Sequence, residues 1–331
     1  MRKLTIGKIR GLQQIANPDG IFAICAMDHR GSLRSMIDEE HPGEVSYGEM
    51  VEHKLELCSS LAKYASAVLL DPIFGAAQCI SHGVLPNGTG LLVSIEASGY
   101  SGEGEHRITK LLEGWGVDKI RRMGASAVKL LVYYRPDLKQ LASQQLNTVN
   151  MVAMECVKYD IPFLVEPLSY PIGNEVNNTP QFAAIKEQLV INTARDITAL
   201  PVDVLKAEFP ADLCFQKDKS KLIEICRKLD MASQVPWVVL SAGVDFELFY
   251  QQVEIACQAG ASGFLGGRAI WQEAIHINNK GERVQYLSTV GADRLKQLTE
   301  VASKYAMPWY KKFGATVHGL AHTSEKWYKE Y

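Results

Sequence analysis

The chain has no CxxC pair, and none of its seven cysteines stands with a histidine at metal-binding spacing. Cys25, Cys58, Cys79, Cys156, Cys214, Cys226 and Cys257 are scattered, mostly through apolar or helical stretches. Such cysteines read as small buried hydrophobes in a reducing compartment. His29, His82, His106 and His276 form no HxH and no HExxH pattern, so no metal is expected. No apolar run is long enough to cross a bilayer: "IFAICAM" is short and Asp28 interrupts it. No basic block or aromatic-basic stripe appears and the net charge is −2, which argues against a nucleic-acid surface. There is no linker and no low-complexity tract. What is present is an ordinary globular composition, 47% hydrophobic and 22% charged over 331 residues, and the chain reads as cytoplasmic. That length allows one large α/β domain or two smaller ones.

Eight short apolar runs recur: "FAICAMD" to Asp28, "SAVLLDP" near Asp71, "GLLVSIE" to Glu96, "SAVKLLVYY" to Tyr134, "IPFLVEP" near Glu166, "VDVLKAEFP" to Pro210, "PWVVLSAG" to Gly243 and "SGFLGGRAIW" to Trp271. Near-continuous apolar runs mark parallel strands covered on both faces. Helical periodicity fills most gaps, over 49–64, 108–122, 138–159, 182–200, 219–229, 245–259 and 293–305. Asp245 resembles an N-cap. The glycine-rich stretch 73–87 reads as loop or short irregular helix. Eight strand–helix units predict a single (β/α)8 TIM barrel over 1–313, with a short lead-in and a C-terminal extension over 314–331. A doubly wound open sheet is the alternative, but no GxGxxG follows the first strand.

In such a barrel the chemistry lies at the carboxyl ends of the strands. Lys129, Glu166 and Lys206 lie late in three consecutive strands, and neighbouring strands are about 4.8 Å apart, so their side chains can converge. A lysine in an apolar strand is costly unless paired, neutralised or used. A second ammonium and burial both favour the neutral amine, which attacks a ketone to form a Schiff base while a carboxyl moves protons. Each residue also has a plain structural reading. Lys129 can be an interior ion-pair partner, Lys206 can pair with Glu208 two residues on, and Glu166 can face solvent at the rim. Asp71 and Glu96 read as polar rim residues. "LSAGV" and "GFLGGRAIW" place Ser241, Gly243, Gly267 and Arg268 on the seventh and eighth strands, where barrels often bind phosphate. On the first strand Asp28 can hold a hydroxyl and Arg30 a second anion, while His29 is either a rim residue or a substrate contact.

The ordered set "MDHRGSL", "LLDPIFG", "SAVKLLVYY", "PFLVEPLSY", "VDVLKAEFP", "LSAGV" and "GGRAIW" resembles the tagatose 1,6-diphosphate aldolases over about 21–313. The resemblance implies a class I, Schiff-base barrel aldolase with no cofactor. It would cleave a ketohexose 1,6-bisphosphate reversibly to dihydroxyacetone phosphate and glyceraldehyde 3-phosphate. By the same resemblance Lys206 forms the imine, Glu166 transfers protons, Lys129 assists and Asp28 lies near the reacting centre. Ser241, Gly243, Gly267 and Arg268 fall in the phosphate-holding segments. Lactococcal-type members carry "DQRG" where this chain has "DHRG", and "PLSYP" also departs from the usual sequence. A sulfofructose phosphate or another ketose phosphate is therefore an alternative substrate. A sugar-phosphate-sensing barrel without turnover and a metal-dependent aldolase are more distant ones. The expected partner is a small sugar phosphate, and the chain is compatible with a homo-oligomer.

Overall fold

In the computed structural model, the described residues are 4–321, 323–329 and 331. Eight parallel strands close on one another in chain order: β1 (Phe22–Ala26), β2 (Ala67–Leu70), β3 (Gly90–Ser94), β4 (Ala127–Tyr133), β5 (Phe163–Leu168), β6 (Val204–Ala207), β7 (Trp237–Leu240) and β8 (Gly263–Gly266). Almost every strand residue is buried, because helices cover the outside and side chains fill the inside. This double covering is why the strands read as unbroken apolar runs.

The helices are α1 (Ile6–Ile15), α2 (Gly31–Ile37), α3 (Tyr47–Leu61), α4 (Ala76–Ser81), α5 (Val117–Arg122), α6 (Lys139–Lys158), α7 (Pro180–Thr198), α8 (Lys219–Ala232), α9 (Phe246–Gln258), α10 (Arg268–Ile275), α11 (Lys280–Tyr286), α12 (Ala292–Tyr305) and α13 (Trp309–Lys312). Several carry their start signals in the sequence. Ser46 and Glu49 form a reciprocal capping box on α3, and Asp245 accepts from Leu248 N at 2.8 Å to cap α9.

Two expectations are corrected. The helix expected over 108–122 begins only at Val117. Its first half is instead a looped hairpin in which Ser101 bridges Ile108 and Glu96 bridges Leu111, since Gly114 and Gly116 interrupt the apolar spacing. The eighth strand stops at Gly266, and Arg268 opens α10 rather than continuing the strand. The lead-in is an ordered helix, α1, which lies across the amino ends of the strands. Ser66, just before β2, donates to Ile15 O at 2.8 Å. Lys8 pairs with Asp203, just before β6, at 2.7 Å. Leu12 and Ile15 are fully buried, so α1 floors the barrel.

Candidate active site

Strand register decides which side chains meet. Val165 on β5 pairs with Leu205 on β6, so Glu166 and Lys206, each one residue further on, point together into the barrel. On β4, Leu131 is level with Glu166, and Lys129 lies one pleat below it on the same inward face. On β3, Ser94 is level with Lys129, which leaves Glu96 one pleat above. Long side chains close the remaining gaps.

Glu166 bridges the two lysines: its Oε1 lies 2.6 Å from Lys206 Nζ and its Oε2 lies 2.9 Å from Lys129 Nζ. Lys129 Nζ also meets Asp28 Oδ2 at 2.8 Å and Glu96 Oε1 at 2.6 Å. Lys129, Lys206 and Glu166 are 1%, 5% and 7% exposed, so the cluster is nearly sealed from below. Two carboxylates left at the rim by the sequence reading are therefore internal. Glu96 is a ligand of the Lys129 ammonium, and Asp71 is fully buried against Lys54 at 3.0 Å.

The protonation pattern follows from this packing. Burial pushes the Lys129 ammonium down, but the carboxylates of Asp28, Glu166 and Glu96 outweigh it and hold the group well above its ordinary value. Burial pushes the Asp28 and Glu166 carboxyls up, yet Lys129 and Lys206 together hold both below the usual range. His29 is pulled down to about 3, chiefly by burial, with Asp28 opposing and Arg268, Lys54 and Lys206 reinforcing. Its imidazole is thus neutral, and it meets the Trp271 ring edge-on at 5.1 Å between centroids. Its Nδ1 is buried without a hydrogen-bond partner.

Two lobes open upward from this centre, of about 360 and 370 Å³. His29, Glu166, Lys206 and Arg268 line both. The first runs toward β7 and β8 and includes Ser241 and Gly267. There Ala242 and Gly243 both take left-handed backbone, φ 49 and 79 degrees, and form the centre of a turn closed by Val244 N donating to Ser241 O at 3.0 Å. A Cβ at Gly243 would come within 2.8 Å of the Arg268 guanidinium carbon, and one at Gly267 within 2.8 Å of His29 Cε1. At Gly243 the left-handed backbone favours glycine, and at Gly267 the nearby Ala26 Cβ and carbonyl oxygen, both at 3.2 Å, leave little room for a side chain. Ser241 Oγ accepts from Gly267 N at 3.4 Å and joins the two segments.

The second lobe is lined by Asp28, Arg30, Ser32, Glu96, Ser98 and Tyr133, among others. Arg30 is buried and donates through Nη2 to Glu96 O at 2.9 Å, while its Nη1 has no partner. Nine of the ten expected site residues therefore line one barrel mouth, and the tenth, Gly243, lies beside the Arg268 guanidinium. Glu208 does not pair with Lys206; its carboxylate accepts from Ser169 N at 2.7 Å and ties the loop after β5 to the end of β6.

Residues 22–273 match the family described as "DeoC/LacD family aldolase". The chain belongs to the DeoC/LacD aldolase family. It is an aldolase, a carbon–carbon lyase. Among curated relatives, the tagatose 1,6-diphosphate aldolase of Staphylococcus epidermidis strain ATCC 35984 is 32% identical over 324 residues, covering 92% of this chain and 98% of the relative. The enzyme of the same name from Staphylococcus aureus strain bovine RF122 / ET3-1 is 31% identical over 323 residues with the same coverage. A solved structure of a Schiff-base-forming fructose-1,6-bisphosphate aldolase superposes with a TM-score of 0.60 at 20% identity, over 88% of this chain and 98% of the other. This DeoC/LacD aldolase thus shares the barrel of that enzyme, and its own charged cluster lies at the carboxyl ends of the strands.

Proposed function

We propose that this aldolase is a class I enzyme that forms a Schiff base through Lys206 and cleaves a ketohexose 1,6-bisphosphate of the tagatose type. The observation that carries this reading is Glu166 bridging Lys206 and Lys129 where the two lobes meet. Glu166 takes a proton from Lys206 Nζ, and the freed amine attacks the C2 carbonyl. The carbinolamine hydroxyl leaves as water with a proton from Glu166, giving an iminium ion. Breaking the C3–C4 bond sends its electron pair into the iminium to form an enamine. The proton of the C4 hydroxyl passes to a carboxylate of the cluster, with Asp28 facing that side, and glyceraldehyde 3-phosphate departs. Protonation of the enamine at C3 and hydrolysis return dihydroxyacetone phosphate and Lys206. Throughout, Lys129 keeps the carboxylates ionised and aligned.

The ends of the substrate suit the two lobes. The turn at Ala242 and Gly243, with Ser241, Gly267 and Arg268, is suited to the C1 phosphate. Arg30, with its free Nη1, and the hydroxyls of Ser32 and Ser98 are suited to the far end. Asp28, Glu96 and Glu166 already share one ammonium, which supports chemistry without a metal, and full activity in EDTA is the corresponding expectation. The reading places the enzyme in the cytoplasm, where sugar phosphates are handled.

Borohydride added with dihydroxyacetone phosphate should leave a mass adduct on the Lys206 peptide. Lys206→Ala should keep the fold and lose both adduct and cleavage. Absence of the adduct from the wild-type chain refutes the reading. One observation favours a second reading, a sulfofructose phosphate: apart from Lys129, Arg30 is the one cation lining the far lobe that the first lobe does not share, and Glu96 lies 3.9 Å from its Nη2 and offsets part of its charge, which suits a singly charged end. Turnover of sulfofructose phosphate equal to or above that of the tagatose and fructose bisphosphates would select it.

A further inference from the structure

β1 leaves the sheet at Ala26, yet the residues that matter follow it: Asp28, His29 and Arg30. Beyond the last strand residue, backbone carbonyls lose their ladder partners and must find others if buried. Here one side chain supplies them. Lys54, from the middle of α3, is fully buried, and its Nζ donates to His29 O at 2.6 Å and also to Met27 O. The same Nζ lies 3.0 Å from Asp71 Oδ2. Asp71 is itself fixed, because its Oδ1 accepts from Ile73 N at 2.9 Å and from Phe74 N at 2.8 Å. A second strut comes from Trp271, whose Nε1 donates to Ala26 O at 3.0 Å while its ring meets His29.

We infer that Lys54, anchored by Asp71, is a positioning residue: it holds the backbone on both sides of Asp28 and so sets that carboxylate against Lys129. This rests on the reading of Asp28 as a group that serves bond cleavage. A buried ammonium needs an acceptor for each of its three N–H groups, and here two of the three are the carbonyls that flank Asp28 in the chain. Lys54 lines neither lobe, so its effect reaches substrate only through the β1–α2 segment. Lys206 stands on β6, across the barrel, and its Nζ pairs with Glu166 rather than with this strut.

The two steps can therefore be separated. Lys54→Met/Asp71→Asn removes both buried charges together and leaves neither orphaned. Expected are borohydride trapping of dihydroxyacetone phosphate at Lys206 within about twofold of wild type, a kcat for cleavage lower by roughly 100-fold, and a KM little changed. In an Asp28→Asn background the same pair should cost less than about fivefold more, since both changes act through one carboxylate. Lys54→Gln/Asp71→Asn, whose amide can still donate to the two carbonyls, should recover about tenfold in kcat over the Met form. Unchanged cleavage, equal loss of trapping and cleavage, additivity with Asp28→Asn, or loss of the fold in both double variants would overturn the assignment and leave Lys54 a scaffold residue. No trapping in the wild-type chain would overturn the Schiff-base reading beneath it as well, a result distinct from any of these.

Discussion

Lys129→Met tests the electrostatic account of the site most directly. The ammonium contacts three carboxylates at 2.6 to 2.9 Å. At an effective dielectric of about 20, each contact is worth roughly 6 kcal/mol of gross attraction, most of it offset by desolvation. Removing one partner of a buried charge set typically costs about 3–5 kcal/mol, because the charges left behind are uncompensated. A chain of 331 residues has an unfolding entropy of about 0.7 kcal/mol/K, so a loss of about 4 kcal/mol lowers Tm by about 6 °C at neutral pH. The pH dependence is more telling. In the wild type the Asp28 and Glu166 carboxyls lie below their unfolded values, so their contribution is present above the unfolded pKa and is lost as the pH falls through the folded one. Without Lys129, burial dominates and at least one carboxyl rises above its unfolded value of about 4. The folded variant then binds the extra proton, and its stability grows as the pH falls. Thermal melts from pH 8 to pH 5 should show the deficit of the variant shrinking by up to about 2 °C per pH unit, and cleavage should fall by about 10²–10⁴-fold. A deficit that stays constant across that range would refute the account.

Two further outcomes follow from the same geometry. His29, held neutral by burial, should show no titration of its ring protons by NMR between pH 5 and 8; its contribution to stability is lost as the pH falls from about 6.5 toward 3, so His29→Gln should flatten that part of the stability profile, and a ring titrating near 6.5 would refute it. Arg268→Gln should raise KM for the bisphosphate by roughly 10- to 100-fold, as expected for losing charge-assisted hydrogen bonds, while trapping of unphosphorylated dihydroxyacetone at Lys206 stays near wild type; equal loss on both compounds would remove Arg268 from phosphate binding.

The barrel was legible because strands buried on both faces leave no polar alternation, and the Lys129, Glu166 and Lys206 triple was legible because charges inside such runs are costly. Glu96 and Asp71 were hidden by their position, one or two residues past a strand, where a carboxylate ordinarily meets water. Lys54 was hidden more deeply. Within an amphipathic helix a lysine reads as surface, and nothing local shows that it turns inward beneath β1. The spacing of Leu111, Leu112 and Trp115 imitates a helix that Gly114 and Gly116 prevent. The run through "GGRAIW" concealed the change from β8 to α10, because both elements are buried there. In each case the missing information was which distant chain segment lies alongside.

The helical floor formed by α1 has a consequence for turnover. With Leu12 and Ile15 sealing the amino end, the charged cluster exchanges hydrogen ions with bulk solvent only through the opening that substrate itself occupies. Once that opening is filled, the inventory of exchangeable hydrogens is closed. On the proposed Schiff-base route, the proton removed from Lys206 is then the one handed on at the next step, which the Glu166 bridge is placed to do.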